Sequence, residues 1–233
     1  MPRKLVFVIR LSMKQVQKLE RFLGICVEGF PFIGIAVLLT AIVSNISCVL
    51  SYIMVALTVW VIWFFRDPVR KNPIQAENQD STLLCPADGT VIKIEPAQDL
   101  FAREEMQKVS IFMSVFNVHV NRSPITGSIS KMEYRPGKFF AANLDKSSTD
   151  NERLAIEMQT AKFGRIVFAQ IAGLVARRIV CAVKEGQSMA QGERFGMIRF
   201  GSRMDVYMSH DAKIKVKLGD KVKAGQTILA TKA

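Results

Sequence analysis

The sequence predicts a mainly β (α+β) domain of barrel-sandwich type, preceded by an N-terminal membrane-associated helical hairpin. Three observations carry this expectation: one long uncharged stretch, a series of short strand-like runs between glycine turns, and two turn segments that look alike.

The uncharged stretch runs from Phe30 to Phe65, 36 residues without Asp, Glu, Lys or Arg. One helix of that length would measure about 54 Å, against a hydrocarbon core of about 30 Å. Something must interrupt it, and Ser44-Asn45-Ile46-Ser47 near its middle suits a tight turn. The two apolar arms could then span the bilayer as a hairpin, or dip in and return. Trp60, Trp63, Phe64 and Phe65 form an aromatic exit, and basic residues flank both ends: Lys18 and Arg21 before, Arg66, Arg70 and Lys71 after. By the positive-inside rule both flanks, and the domain that follows, face the cytoplasm. The run is too long for a secretory signal peptide.

Ahead of it, residues 1–29 form a basic segment. Residues 1–21 hold Arg3, Lys4, Arg10, Lys14, Lys18 and Arg21 against Glu20 alone. With the whole chain at net charge +12, the partner could be nucleic acid, an anionic membrane or an acidic small molecule. The position of the charge next to an apolar run favours anionic lipid. Val16, Leu19 and Leu23 have the spacing of an interfacial helix, and a solvated basic tail explains the same residues equally well.

From residue 66 to 233 the chain reads as one catalytic-sized domain after a linker through Asp67-Pro68, Asn72-Pro73 and Gln75 to Ser81. Thr90–Ile94, Val109–Val120, Arg165–Ala172, Ile179–Val183, Met204–Met208 and Lys213–Val216 are rich in Val, Ile and Phe and predict strands. Asn151–Gln159 is expected as a short helix, entered from an exposed polar loop. Pro86-Ala-Asp-Gly-Thr-Val-Ile-Lys-Ile and the closing Lys213 to Leu229 segment resemble the hammerhead turns of lipoyl and biotinyl carrier domains. Cys26, Cys48, Cys85 and Cys181 form no C-x-x-C pair, so neither zinc nor a disulfide framework is expected.

Candidate chemistry rests on few residues. The histidines are His119 and His210. His119 lies at the end of an apolar strand, where a hydrogen-bonded structural histidine is the plainer reading, and His210 reads as a solvated turn residue. Asp88 in Pro-Ala-Asp-Gly is the aspartate a turn wants anyway. Ser202 follows Gly201 and precedes an alternating strand, and a Gly-Ser pair alone says nothing specific.

Together these passages say more. Phe-Phe-Arg-Asp-Pro, Pro86-Ala-Asp-Gly-Thr-Val, Phe116-Asn-Val-His-Val-Asn-Arg-Ser-Pro-Ile-Thr-Gly, Asn151-Glu-Arg, Gln170-Ile-Ala-Gly-Leu-Val-Ala-Arg-Arg-Ile-Val and Ile198-Arg-Phe-Gly-Ser-Arg-Met-Asp-Val-Tyr occur in one order over nearly the whole chain. That pattern resembles the short, bacterial-type phosphatidylserine decarboxylase family, whose members are made as proenzymes. Relatives acting on archaeal serine phospholipids share much of it, which leaves the lipid tail less defined than the head group.

The resemblance implies decarboxylation of phosphatidylserine to phosphatidylethanolamine at a bacterial inner membrane, with the domain on the cytoplasmic side. It implies self-cleavage at Gly201–Ser202 into a beta chain, residues 1–201, and an alpha chain, residues 202–233, which stay together as a heterodimer. Ser202 would become a covalent pyruvoyl cofactor that forms a Schiff base with the substrate amine, the electron-sink role of pyridoxal phosphate elsewhere. His119 would be the base and Asp88 its orienting partner. A second histidine found three positions earlier in a longer branch is Phe116 here, so its role does not transfer. No metal is called for, and the residues that hold the substrate phosphate stay unknown, with Arg122, Arg177, Arg178 and Arg203 as nearby cations.

The alternative from another class is a non-catalytic membrane-anchored carrier or adaptor of barrel-sandwich fold. It explains the turns and the anchor but neither the Gly-Ser pair nor the histidine passage, and it lacks a modifiable lysine at a hairpin tip. A nucleic-acid binder ranks last, because aromatics interleaved on a charged face are missing outside the expected strands.

Overall fold

The computed structural model describes residues 23–140, 150–173, 178–199 and 201–232. The expected amphipathic segment before Leu23, the polar loop at 141–149, and Arg177 lie outside the described residues. The chain divides into two compact units, Met1–Val69 and Arg70–Ala233.

The first unit is the helical hairpin. Helix α1 (Phe30–Ser44) and helix α2 (Cys48–Phe64) are joined at Asn45 and Ile46, and the Ser47 hydroxyl caps α2 by accepting from Leu50 N–H. The helices turn Ile35, Leu38, Ile42, Val49, Ile53 and Val59 outward, as lipid-facing helices do. Val27–Ser44 is long and apolar enough to cross a membrane by length and composition. Among the described residues, Thr40 makes polar contacts across the pair: its hydroxyl lies 2.9 Å from that of Thr58 and 3.3 Å from the Met54 carbonyl oxygen. At the open end, Cys26 N–H donates to Phe65 O and Asp67 N–H to Gly24 O, so the chain leaves beside the point where it entered.

The second unit is β. Its strands are β1 (Thr82–Leu84), β2 (Gly89–Gln98), β3 (Glu105–Met113), β4 (Val120–Arg122), β5 (Gly127–Arg135), β6 (Arg153–Thr160) and β7 (Gly164–Ala172). There follow β8 (Ile179–Cys181), β9 (Ser188–Met189), β10 (Arg194–Ile198), β11 (Ser202–Met208), β12 (Lys213–Ile214), β13 (Lys221–Val222) and β14 (Ile228–Thr231). Among the described residues they form a large sheet in the order β13-β2-β3-β11-β7-β6-β5-β9 and two small ones, β1-β14-β12 and β4-β10-β8. All three sheets feed one apolar core: Ile111, Phe168 and Val206 from the large sheet, Leu83 and Leu229 from one small sheet, Phe195 and Ile198 from the other. The barrel-sandwich expectation holds in this sense, since the sheets enclose the core between them.

Two expectations are corrected. Asn151–Gln159 is not a helix; residues 153–160 are strand β6, paired with β5 on one side and β7 on the other. Its sequence alternates, with Leu154, Ile156 and Met158 in the core, and long-range pairing overrides a run of good helix formers. The strand expected from Val109 to Val120 stops at Met113, because Asn117 Oδ1 accepts from both the N–H and the hydroxyl of Ser114 and closes a turn. The two look-alike segments meet in the structure: Gly89 pairs with Val222 and Thr90 with Lys221.

The face of the large sheet opposite the core is also closed. Arg203 and Asp205 alternate away from the core and form a bidentate pair, 2.7 Å at both contacts, with both side chains at most 1% exposed. At the far end of this face, Arg165 bridges Asp99, Glu104 and Glu157. Asp99 also accepts from the N–H groups of Phe101, Ala102 and Glu104, which pins the β2–β3 turn.

Burial by itself would raise the Asp99 carboxyl, but Arg165 and the three N–H groups outweigh it and hold it down to about 2. An unfolded chain protonates near about 3.9. The ionised carboxylate therefore stabilises the fold fully above that value, and the contribution disappears as pH falls from about 4 to about 2. Asp99→Asn is expected to lower the unfolding free energy at pH 7 by about 2–4 kcal/mol. In urea melts the gap to the parent protein should narrow as the pH approaches 2.

Candidate active site

The residues of interest gather where the chain crosses between sheets. Strands β3 and β11 are neighbours in the large sheet, and β4 and β10 are neighbours in a small one. The segment from β3 to β4 and the segment from β10 to β11 therefore span the same gap side by side. His119 lies in the first crossing. Gly201 and Ser202 end the second. The His119 carbonyl accepts from Ile198 N–H at 3.4 Å, which ties the two crossings together.

His119 is fully buried, and its Nδ1 lies 3.0 Å from the Asn117 carbonyl oxygen. A carbonyl only accepts, so Nδ1 carries the hydrogen, and in the neutral ring the lone pair is then on Nε2. That tautomer suits a base acting through Nε2.

Gly201 has φ +55°, a left-handed conformation that glycine adopts at no steric cost. Ser202 opens β11, opposite Met113 on one side and Ala172 on the other, and is fully buried. Its hydroxyl points at Met113 Sδ at 3.4 Å, a weak acceptor. Period-two alternation puts Ser202 on the core face and Arg203 on the opposite one, where Asp205 engages it. Arg178 is exposed, and Arg122 donates to the Gly192 carbonyl at 3.2 Å.

Asp88 is placed differently from the orienting role that the resemblance implies. Its hydrogen bonds go to Arg70 (2.5 and 2.7 Å) and to Ala224 N–H at 2.8 Å, and not to His119. Arg70 Nη1 also donates to Ala224 O at 2.7 Å, so the two side chains grip one peptide residue at both polar atoms. The same turn reaches the histidine strand through backbone: Pro86 O accepts from Arg122 N–H at 2.9 Å. Gly89 lets that turn lie against β3, because a Cβ there would come 2.1 Å from Phe112 O. Burial pushes the neighbouring Cys85 thiol up to about 12, so it stays protonated at neutral pH.

Several residues of the site were not singled out from sequence. Asn121 and Gln170 stand on the core side of apolar strands, fully buried, with Gln170 Nε2 donating to Asn121 Oδ1 at 2.8 Å. Asn151 donates to the carbonyls of Phe140 and Ala172, the latter opposite Ser202. The available signal was a polar amide interrupting an apolar run, as in Val167-Phe-Ala-Gln-Ile. Arg70 gave none, since a single arginine in a linker is ordinary.

This geometry can be set beside known proteins. The family model described as phosphatidylserine decarboxylase matches residues 57–230. The chain belongs to the phosphatidylserine decarboxylase family. A phosphatidylserine decarboxylase proenzyme of Burkholderia lata is 49% identical over 204 residues, spanning 87% of this chain and 94% of the relative. The proenzyme of Paraburkholderia phymatum is 47% identical over the same share of both chains. The fold sets His119 and the Gly201–Ser202 junction on two adjacent crossings, tied by the hydrogen bond from Ile198 N–H to the His119 carbonyl.

The Arg70–Asp88 grip has a measurable consequence. Arg70→Met leaves a buried carboxylate with one backbone donor, which is expected to cost about 3 kcal/mol in a urea melt. Asp88→Asn keeps an acceptor for Arg70 Nη1 and Ala224 N–H but sets an NH2 group against Arg70 Nη2 and leaves the guanidinium without its counter-charge, so it should cost a comparable amount.

Proposed function

We infer that this protein decarboxylates phosphatidylserine to phosphatidylethanolamine with a pyruvoyl group that it makes from Ser202 by cutting its own chain after Gly201. The observation that carries this reading is the junction itself: a glycine at positive φ feeding a buried serine, beside the crossing that holds His119. Nothing of the kind is needed by a carrier domain.

In the cut, Ser202 Oγ attacks the Gly201 carbonyl carbon while His119 Nε2 takes the hydroxyl proton. His119 then returns a proton to the departing amide nitrogen, which becomes the amine of residue 202 and leaves an ester in place of the peptide bond. Removal of the Cα proton of residue 202 expels the Gly201 carboxylate and leaves dehydroalanine. Addition of water and loss of ammonia complete the pyruvoyl group. Asn117 carbonyl, hydrogen-bonded to Nδ1, steadies the imidazolium that forms in the first step. Asp88 acts from behind, keeping its turn on Ala224 and on the strand that carries His119.

A cofactor built from residue 202 needs no entry path, only room and a hydrogen-bond partner. The residues present fit: Met113 faces the side chain, and Gln170 Oε1 is buried without a hydrogen-bond partner among the described residues. Once formed, the group supplies a carbonyl that captures the substrate amine and accepts the electron pair left as carbon dioxide departs. His119, held by Asn117, is the group placed to return a proton to the α carbon.

Membrane attachment belongs to the same reading. The hairpin exposes its apolar residues, and its two ends are hydrogen-bonded to each other, which keeps both flanks on one side of a bilayer. We assign that side to the cytoplasm from the basic residues Arg66, Arg70 and Lys71.

Intact-mass analysis of the purified protein is expected to give two chains, 1–201 and 202–233, the smaller with a blocked amino terminus. Ser202→Ala should give one uncut, inactive chain, and His119→Ala should cut about 100-fold more slowly or worse. A single unbroken chain in the active parent protein would overturn the reading.

A further inference from the structure

A chain of buried polar contacts runs back from the serine and ends on an unused atom. Ser202 Oγ and Asn121 Nδ2 approach the same Met113 sulfur, at 3.4 and 3.8 Å. Asn121 Oδ1 in turn accepts from Gln170 Nε2. All four side chains are fully buried. Gln170 Oε1 has no hydrogen-bond partner among the described residues. The register fixes where this happens: Ser202 faces Ala172 and Met204 faces Gln170, so Gln170 is the diagonal neighbour of Ser202 on the core side of the sheet.

An orphaned amide atom in an apolar core costs stability and calls for an explanation. A merely structural position here would be filled better by leucine or methionine. We propose that Gln170, oriented by Asn121, is a catalytic residue that hydrogen-bonds the carbonyl generated at residue 202. The inference rests on the function proposed above and adds a residue to it.

The chemistry of residue 202 before and after the cut fits this assignment. The serine hydroxyl has a thioether as its described partner, a poor one. Conversion replaces the hydroxymethyl by a methyl, which a thioether and an alanine accommodate well, and creates a keto oxygen that wants a donor. An amine brought to that carbon is itself a donor and wants an acceptor. A primary amide offers either. Exchanging oxygen and nitrogen in both Asn121 and Gln170 preserves their mutual hydrogen bond and turns the unused atom from acceptor to donor. A neutral histidine in this place would meet only one of the two demands without a proton transfer.

The test uses the full-length protein and a small carbonyl reagent, so that lipid turnover is not the only readout. Asn121→Leu/Gln170→Leu removes both amides at once, a change that leaves no new unpaired group. Each purified protein is assayed by mass for cleavage, and its keto group is titrated with hydroxylamine, which adds with loss of one water. The expected result is a cut double variant whose oxime forms about 10-fold or more slowly than in the parent, with kcat for the lipid falling and KM little changed. Oxime formation at the parent rate would overturn the proposal. So would a folded double variant that stays uncut, since the pair would then act on the serine before the cut. Should the double variant fail to fold, Gln170→Glu takes its place: it is expected to lose oxime rate as pH rises and the acid can no longer donate, and a flat pH profile relative to the parent rejects the assignment. A parent protein with no hydroxylamine-reactive group would instead reject the underlying function.

Discussion

Everything at this site depends on one strand being hydrogen-bonded along both edges. Strand β11 starts at Ser202, the residue proposed to become a new chain end, and from its first position it pairs with β3 on one side and β7 on the other. Chain ends normally fray. Here the terminus would be created inside a finished ladder, with Met204, Val206 and Met208 already packed in the core and Arg203 and Asp205 already paired on the opposite face. Breaking one peptide bond at Gly201 leaves that ladder untouched. A built-in electron acceptor at residue 202, as proposed, would take its positional accuracy from the backbone, with the side chains around it selecting its chemistry.

Much of this architecture was legible in the residues. Strands with apolar runs or clear alternation, such as β7 and β11, are expected within two residues of where they lie, and the Ser44 to Ser47 turn is the hairpin bend. Strand β5 escaped because its outward residues are polar and its inward ones, Ile129 and Met132, are too few to stand out. Strand β6 was misread because its residues favour helix locally, and only its two partner strands decide the matter. Local propensity cannot weigh cross-strand partners, whether from the adjoining hairpin strand β7 or from β5 earlier in the chain.

The site shows the same division. His119, Gly201 and Ser202 were singled out because several motifs agree in order, and the structure sets them on two adjacent crossings of one gap. Asp88 illustrates what motif order leaves out. Its residue type fits an acid beside a histidine, yet its carboxylate is consumed by Arg70 and a backbone N–H, a distribution that only the fold can disclose. Gln170 is the reverse case, quoted in a motif but given no role from sequence, whose proposed role comes from the strand opposite it.

The ion pairs described above share a property that bears on the proposed cut. Arg70 with Asp88 and Arg165 with Asp99 lie wholly before the junction, and Arg203 with Asp205 wholly after it. Both members of each pair would stay on one of the two pieces that the proposed cut leaves. The grip of Arg70 and Asp88 on Ala224 reaches from the long piece to the short one, so the pieces would be clasped by charged groups as well as by ladder hydrogen bonds and apolar packing.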